Sequence, residues 1–402
     1  MNGRVGVTAA GVISAIGAGI ESFGCNLESG AVAAAESERF PGVTVAEIKC
    51  FDPQPWLGSK GIRVLDRSAR LLAVAAKMAL DDAGLSQENS ETGDPSLGLV
   101  CGTVFGSLHS ISSFDWSGLQ EGPNWVNPTE FANTVINAPA GQAAIKHKLR
   151  GVNSTVCAGV ASGLFAIDYA AEFLRFGRAR ALLAGGVEEL CEESVCGFTK
   201  TGAISPSGTA RPFAANRDGV VPGEGSALLM LEPEEVAAER GRIPWLEILG
   251  FGFSQDAHAI CEFDLHGDGA TEALRQALEN SGIAPEQVAC IVSSASGSPR
   301  GDAMEARALE RVFGGCLSEI PICAPKAAFG EAMGASGAFC AIVAGLSLQR
   351  QAIPPTAGFV QQESSRLRLS STSLPVSGEY ALVNAFGCDG NNASLVIRLW
   401  KI

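Results

Sequence analysis

Several features that would identify a protein quickly are missing from this sequence. It has no apolar run long enough to span a membrane, no glycine-rich loop with a phosphate-binding lysine, and no cluster of residues at metal-ligand spacing. Twelve cysteines are present, yet no two have the C-x-x-C spacing. We therefore expect no membrane partner, no metal and no cofactor.

Positive charge is also scarce. The 29 Lys and Arg residues are outnumbered by 43 Asp and Glu residues, which gives a formal net charge of -14 and a pI of about 4.9. This balance argues against nucleic acid or an anionic membrane surface as the main partner. Two small basic groups, at 146–150 and at Arg211 with Arg217, are interpreted as solvated surface.

The N-terminal stretch MNGRVGVTAAGVISAIG (1–17) lacks the basic start, apolar centre and cleavage site of a signal peptide. We expect a cytoplasmic protein whose cysteines stay reduced. Cys101, Cys290, Cys323 and Cys340 lie in apolar runs and are expected to be small buried residues.

Length and patterning favour a layered α/β protein. The 402 residues, 46% of them hydrophobic, suffice for a large core. Short β-branched segments such as 153–157 alternate with longer helical patterns. One helix is predicted at 66–85, with Asp66 as N-cap and Gly84 near its end. A second alternating series begins near Pro244, so we expect α/β layers with buried sheets.

Six motifs, in order, resemble those of the β-ketoacyl synthase (condensing enzyme) family. The likeness covers nearly the whole chain, and RPFAANRDGVVPGEGSALLMLE (211–232) is its most specific element. The others are GVNSTVCAGVASGL (151–164), LAGGVEE (183–189), SASGSPRGDAMEARAL (294–309), PKAAFGEAMGASG (325–337) and NAFGCDGNNASLV (384–396).

The resemblance implies a thiolase fold built from two similar halves in an αβαβα arrangement, usually dimeric. The first half, 1–243, would carry the nucleophile elbow. The second half, 244–402, would carry the two histidine loops of the family.

Two catalytic positions of the family are altered in the elbow and the first histidine loop. In the family, the catalytic cysteine lies three residues before the glycine that opens the helix. That glycine is Gly163 here, so the cysteine position holds Val160. The first histidine lies eight residues before an aspartate. That aspartate is Asp302, so the histidine position holds Ser294.

The second histidine loop is altered as well. Its histidine lies five residues after a lysine, and from Lys326 that position holds Glu331. In the closing segment, Cys388 replaces the usual second phenylalanine. The histidines that are present lie outside these loops, at His109, His147, His258 and His266.

Losing all three groups removes the chemistry of condensation. A thiolate must accept the acyl chain, and Val160 offers no nucleophile. Proton or hydrogen-bond donors must then promote malonyl decarboxylation and stabilise the enolate. Ser294 is a weak acid, and an ionised Glu331 would repel an enolate and raise the pKa of a nearby thiol. We expect no intact catalytic site.

One subgroup of the family resembles this pattern. Chain-length factors of type II polyketide synthases keep the fold and lose the nucleophile, although many carry glutamine where this chain has Val160. The resemblance implies a heterodimer with an active ketosynthase subunit, an acyl carrier protein as a further partner, and a role in shaping the acyl tunnel. Residues 105–116 and 128–137 would then supply dimer and tunnel contacts.

Two alternatives remain open. The chain could be an atypical ketosynthase or acyltransferase with Cys157 as nucleophile, assisted by Ser294 or Glu331. It could also be a self-pairing acyl-binding protein. We expect Cys157 to be a small buried bystander at a strand end, and Lys326 to form a structural ion pair with Glu305.

Overall fold

The computed structural model describes residues 3–87, 90–128, 130–360, 363 and 366–401. The elements before residue 243 are the strands β1 (Val5–Ser14), β2 (Gly17–Ala18), β3 (Ala35–Glu36), β4 (Thr44–Val45), β5 (Leu97–Gly102), β6 (Asn153–Val156), β7 (Ala181–Glu188) and β8 (Gly225–Pro233), and the helices α1 (Ile20–Glu28), α2 (Gln54–Leu57), α3 (Arg67–Ala83), α4 (Leu108–Glu121), α5 (Ala138–His147), α6 (Ser162–Arg175), α7 (Glu192–Lys200) and α8 (Glu234–Glu239).

The later elements follow the same alternation. They are the strands β9 (Leu246–Gln255), β10 (Val288–Val292), β11 (Ile322–Cys323), β12 (Ala352–Ile353), β13 (Leu374–Pro375), β14 (Tyr380–Phe386) and β15 (Asn391–Leu399), and the helices α9 (Asp268–Ser281), α10 (Pro299–Phe313), α11 (Lys326–Phe329) and α12 (Ser336–Arg350).

One large mixed sheet contains the same strand order twice. The first set runs β1-β8-β7-β5-β6 and the second runs β9-β15-β14-β10-β11. The two sets also match in direction, since β8 and β15 are each antiparallel to both neighbours while the remaining pairs are parallel. They join where β1 pairs with β9.

The elements form five layers, and three large apolar cores lie between them. Helices α6 and α12 lie in the middle, between the two sets of strands, and share one core with both. Helix α3 with α5 covers the outer face of the first set. Helix α9, against which α10 packs, covers the outer face of the second set. The expected αβαβα arrangement is therefore confirmed, whereas the domain boundary at 243/244, in the segment between α8 and β9, stays a prediction.

Local signals placed several elements correctly. The Asp66 side chain accepts a hydrogen bond from the Ala69 N–H at the start of α3, and Gly84 ends that helix with φ 68°. Helix α12 is buried from Ser336 to Leu348, as expected for a helix covered by sheets on both sides. Within the described residues, no helix combines the length and apolar character that a membrane crossing requires.

Candidate active-site cavity

The elbow is a tight turn between β6 and α6. Gly159 has φ 55°, and a side chain there would meet the Asp389 carboxylate of the closing segment. The Ser162 hydroxyl accepts from the Ala158 N–H at 2.8 Å and donates to the Gly159 carbonyl at 2.6 Å. Val160 is thereby fixed at the tip of the turn and is buried.

The three altered positions share one cavity. Val160 from the elbow, Ser294 from the first loop and Glu331 from the second all line a space of about 120 Å³. The other wall residues include Phe198, Val220, Phe263, Met333, Phe386 and Cys388. The cavity therefore lies where the elbow of the first half meets the loops of the second.

A buried ion pair occupies the second histidine position. The Lys326 ammonium lies 2.7 Å from Glu331 Oε2, and the two side chains are 1% and 7% exposed. Glu331 Oε1 also accepts from the Met333 N–H at 3.0 Å and the Ser336 hydroxyl at 2.7 Å. Both carboxylate oxygens are thus engaged by donors of their own loop and its lysine.

Ser294 is equally committed to its surroundings. Its hydroxyl accepts from the Phe386 N–H at 2.9 Å and from Lys326 at 3.4 Å, and it donates to the Phe386 carbonyl at 3.4 Å. The short hydrogen bond is therefore the one that Ser294 accepts from the closing segment, and its own proton has only a long contact with the Phe386 carbonyl.

The prediction that Lys326 forms an ion pair with Glu305 was wrong. Lys326 pairs with Glu331, because Gly330 (φ 83°) turns the loop back toward its own lysine. Glu305 instead accepts from the Ser294 N–H at 3.0 Å and from the Asn384 amide at 2.9 Å. Burial raises the pKa of Glu305 to about 7, against the opposing effect of these donors.

Cys157 lies at the end of β6, as expected, but it is exposed, so the expectation of burial was wrong. Strand β6 is the last of its set, so one of its edges is not covered by another strand among the described residues. The cavity wall does not include Cys157, whose thiol points to the Val104 carbonyl at 3.6 Å. Partial burial and then the Glu188 carboxylate raise the pKa of Cys157, so the thiolate is disfavoured.

The other cysteines and histidines considered in the sequence differ in their burial. Cys101, Cys290, Cys323 and Cys340 are buried, as expected. Cys388 faces the cavity, and burial raises the pKa of its thiol to about 11. His258 and His266 are exposed, so neither supplies a proton donor to the cavity. No group of three or more His, Cys, Asp or Glu residues in the described part of the chain is arranged to hold a metal ion.

Sequence reasoning missed one buried carboxylate beside the site. Glu188 is the last residue of β7, and it accepts hydrogen bonds from the loop that precedes α4 and from Gly334 in the Glu331 loop. Glu188 lies within the motif LAGGVEE (183–189). An acidic residue at the end of such a strand was the available signal.

Two family models match this chain: the β-ketoacyl synthase N-terminal domain over residues 3–237 and the C-terminal domain over residues 246–360. The chain belongs to the β-ketoacyl synthase family. A 3-oxoacyl-[acyl-carrier-protein] synthase 2 of Rhizobium meliloti (strain 1021) is 32% identical, over 98% of both chains.

Solved structures agree with this membership. A structure titled the ishigamide ketosynthase/chain length factor matches with a TM-score of 0.92 and 28% identity, over 100% of both chains. A second, titled AntDE:AntF, a type II PKS acyl-carrier protein in complex with its ketosynthase bound to the hexaketide, matches with a TM-score of 0.87 and 25% identity, again over 100% of both chains.

Proposed function

We propose that this chain is a noncatalytic, chain-length-factor-like subunit. It pairs with an active ketosynthase and shapes the acyl tunnel during type II polyketide or fatty-acid-like chain assembly. One observation carries the proposal: Val160, Ser294 and Glu331 line a single cavity at the family's catalytic positions, and Glu331 is locked to Lys326.

The cavity offers no route to decarboxylative condensation. Val160 cannot form a thioester, and Ser294 offers only a weakly acidic hydroxyl in place of a histidine. Glu331 presents a carboxylate where an enolate would need a donor. These three positions therefore supply the cavity with neither a nucleophile nor a histidine donor for an enolate.

The surface of the single chain supports a partner. Helix α4 contributes no buried residue, although it carries Trp116 and Leu119. Further large apolar side chains are exposed just beyond it, among them Trp125 and Phe131. Such a concentration is typical of a protein-protein contact rather than of a solvated surface. Trp116 and Phe131 fall in the predicted segments 105–116 and 128–137, of which Thr129 lies outside the described residues, while Leu119 and Trp125 lie between those segments.

Structural relatives support the kind of partner. The ishigamide neighbour pairs a ketosynthase with a chain length factor by its title, and the AntDE:AntF neighbour includes an acyl carrier protein. By analogy with these complexes, we propose that this chain forms a heterodimer with a ketosynthase subunit. An acyl carrier protein would then deliver acyl chains to the pair.

The enzymatic alternative depends on Cys157. An atypical ketosynthase or acyltransferase would need this thiol to reach the cavity and to ionise. Its orientation toward Val104 and its raised pKa both argue against that. Acylation of Cys157 by an acyl carrier-protein donor, detected by peptide mass spectrometry, would favour this alternative.

Coexpression with a ketosynthase encoded nearby tests the proposal. Size-exclusion chromatography and native mass measurement should give a one-to-one heterodimer, and the heterodimer should release carbon dioxide from a malonyl carrier-protein thioester. The chain purified alone should release none above background. A well-behaved monomer in the coexpression, or decarboxylation by the chain alone, would refute the assignment.

A further inference from the structure

Glu188 bridges two segments that are far apart in sequence. One carboxylate oxygen, Oε2, accepts from the Val104 N–H at 2.8 Å and from the Gly334 N–H at 3.1 Å. The other, Oε1, accepts from the Phe105 N–H at 3.1 Å and from the Thr103 hydroxyl at 3.0 Å. A single side chain therefore holds the segment that leads into α4 and the loop that carries Glu331.

This carboxylate is fully buried, so its donors are essential. Burial raises the pKa of Glu188 to about 7, and the four donors oppose that rise. A buried carboxyl group without such donors would cost several kcal/mol. If either segment moves away, Glu188 loses part of its compensation, which disfavours independent movement of the two segments.

Close packing at Gly334 reinforces the connection independently of hydrogen bonding. A Cβ on Gly334 would lie 2.6 Å from the Thr103 Cα, which backbone packing does not permit. A Cβ on Gly163, at the start of α6, would lie 2.9 Å from the Gly334 carbonyl oxygen. Gly334 is thus fitted between the segment before α4 and the helix that follows the elbow.

The two ends of this connection have different surroundings. On one side, the segment 103–107 leads into α4, which has no buried residue and carries the exposed apolar side chains. On the other side, Glu331 and Met333 line the cavity immediately before Gly334. A continuous set of contacts therefore runs from the start of α4 to the cavity loop, through the Glu188 carboxylate and the packing at Gly334.

We propose that Glu188 is a positioning residue that couples the segment 103–107, which leads into α4, to the cavity loop 331–336, so that docking of the partner on α4 sets the geometry of the cavity wall. The identity of the partner rests on the proposed function, whereas the coupling itself is a property of this chain alone.

Adjacent Glu189 provides a matched control. It is also buried and acidic, and it accepts from the Ser68 N–H at 3.0 Å and the His109 N–H at 3.4 Å. It therefore holds the starts of α3 and α4 but makes no hydrogen bond to the cavity loop among the contacts of the described residues. Glu189→Gln disturbs the partner face without disturbing the bridge.

The first test uses the chain alone. Glu188→Gln replaces one acceptor oxygen with a donor, so amide hydrogen exchange at residues 104–105 and at 334 should rise together by about tenfold or more. Glu189→Gln should raise exchange at 68 and 109 and leave 334 unchanged. The cavity wall can be probed in a Val160→Cys background. There, the rate at which iodoacetamide alkylates position 160, followed by peptide mass spectrometry, should change in Glu188→Gln but not in Glu189→Gln.

Thr103→Val provides a milder variant if Glu188→Gln does not fold. It removes one hydroxyl donor to Glu188 and keeps the side-chain shape, so exchange at 334 should still rise by about threefold. Unchanged exchange at 334 in Thr103→Val and in any folded Glu188→Gln, or an equal rise in Glu189→Gln, would overturn the coupling.

The second test adds the coexpressed ketosynthase. Its binding should slow exchange at 104–105 and at 334 in the wild type, but only at 104–105 in Glu188→Gln. Slowing at 104–105 alone in the wild type would overturn the coupling. If no ketosynthase binds while the first test succeeds, the proposed function fails and the coupling stands.

Discussion

At the residue level, the altered site contains a new, fully satisfied set of contacts. Glu331 takes hydrogen bonds from Lys326, Met333 and Ser336, and Ser294 closes the space between Lys326 and the Phe386 backbone. Buried ion pairs of this kind contribute little net stability, but removing one member leaves a buried charge without its partner. Replacing either Lys326 or Glu331 alone should therefore destabilise the folded protein.

The Lys326–Glu331 pair leads to a stability prediction. Lys326→Met should lower the free energy of unfolding by about 3–5 kcal/mol, because Glu331 stays buried without its cation. Adding Glu331→Gln should recover most of that loss, since the amide oxygen can still accept from Met333 and Ser336. Urea denaturation of both variants measures this, and a double variant as unstable as Lys326→Met would contradict the account.

Glu305 leads to a pH prediction. Burial raises its pKa from 4.5 to about 7, so between these values the folded protein keeps a proton that the unfolded chain has released. Stability from this group is therefore lost as pH rises through that window. Glu305→Gln cannot titrate, and its amide oxygen can still accept from Ser294 and Asn384.

The free energy of unfolding of Glu305→Gln, minus that of wild type, should rise by on the order of 2–3 kcal/mol from about pH 5 to about pH 8. Denaturant titrations at both pH values measure the difference, with Glu279→Gln on the exposed face of α9 as the control. If the two variants respond to pH alike, the buried proton is not on Glu305.

At the element level, local signals predicted much of the scaffold. The Asp66 cap and the Gly84 end of α3 could be seen in the sequence because both depend on residues within one turn of the helix. The exposure of Cys157 could not be predicted from the sequence, because it depends on β6 being the last strand of its set. The partner of Lys326 was missed because Glu305 and Glu331 both lie near it in the fold. Only the conformation of the loop determines which carboxylate forms the ion pair.

Helix α4 is the element on which assembly should depend. Leu119 is 79% exposed, so Leu119→Lys should leave the stability of the chain within about 0.5 kcal/mol of wild type. It should nevertheless weaken binding of the coexpressed ketosynthase by tenfold or more, about the cost of a buried contact residue in an interface.

Ile243→Lys is the matched control for this surface, since Ile243 is 66% exposed between α8 and β9 and is not part of α4. Quantitative pull-down of the ketosynthase with each variant measures the difference. Equal binding by the two variants would show that α4 is not part of the interface.

At the level of the whole molecule, two matching sets of strands bring distant segments to one cavity. The sequence predicted this because six family motifs occur in order, and the spacing from Gly163, Asp302 and Lys326 identified the three wall positions. The bridge from Glu188 to Gly334 could not be predicted, because it joins the end of β7 to a loop of the other half. Only the assembled fold places those groups within hydrogen-bonding distance.

The central claim is that this chain contributes shape and not chemistry. The most direct test compares product formation by two assembled complexes, each supplied with an acyl carrier-protein donor and a malonyl carrier-protein thioester. One pairs the wild-type chain with a ketosynthase whose catalytic cysteine is replaced by alanine. The other pairs Cys157→Ala of this chain with an unmodified ketosynthase. We predict no product from the first complex, and unchanged rate and product length from the second. Product from the first, or its loss from the second, would contradict the account.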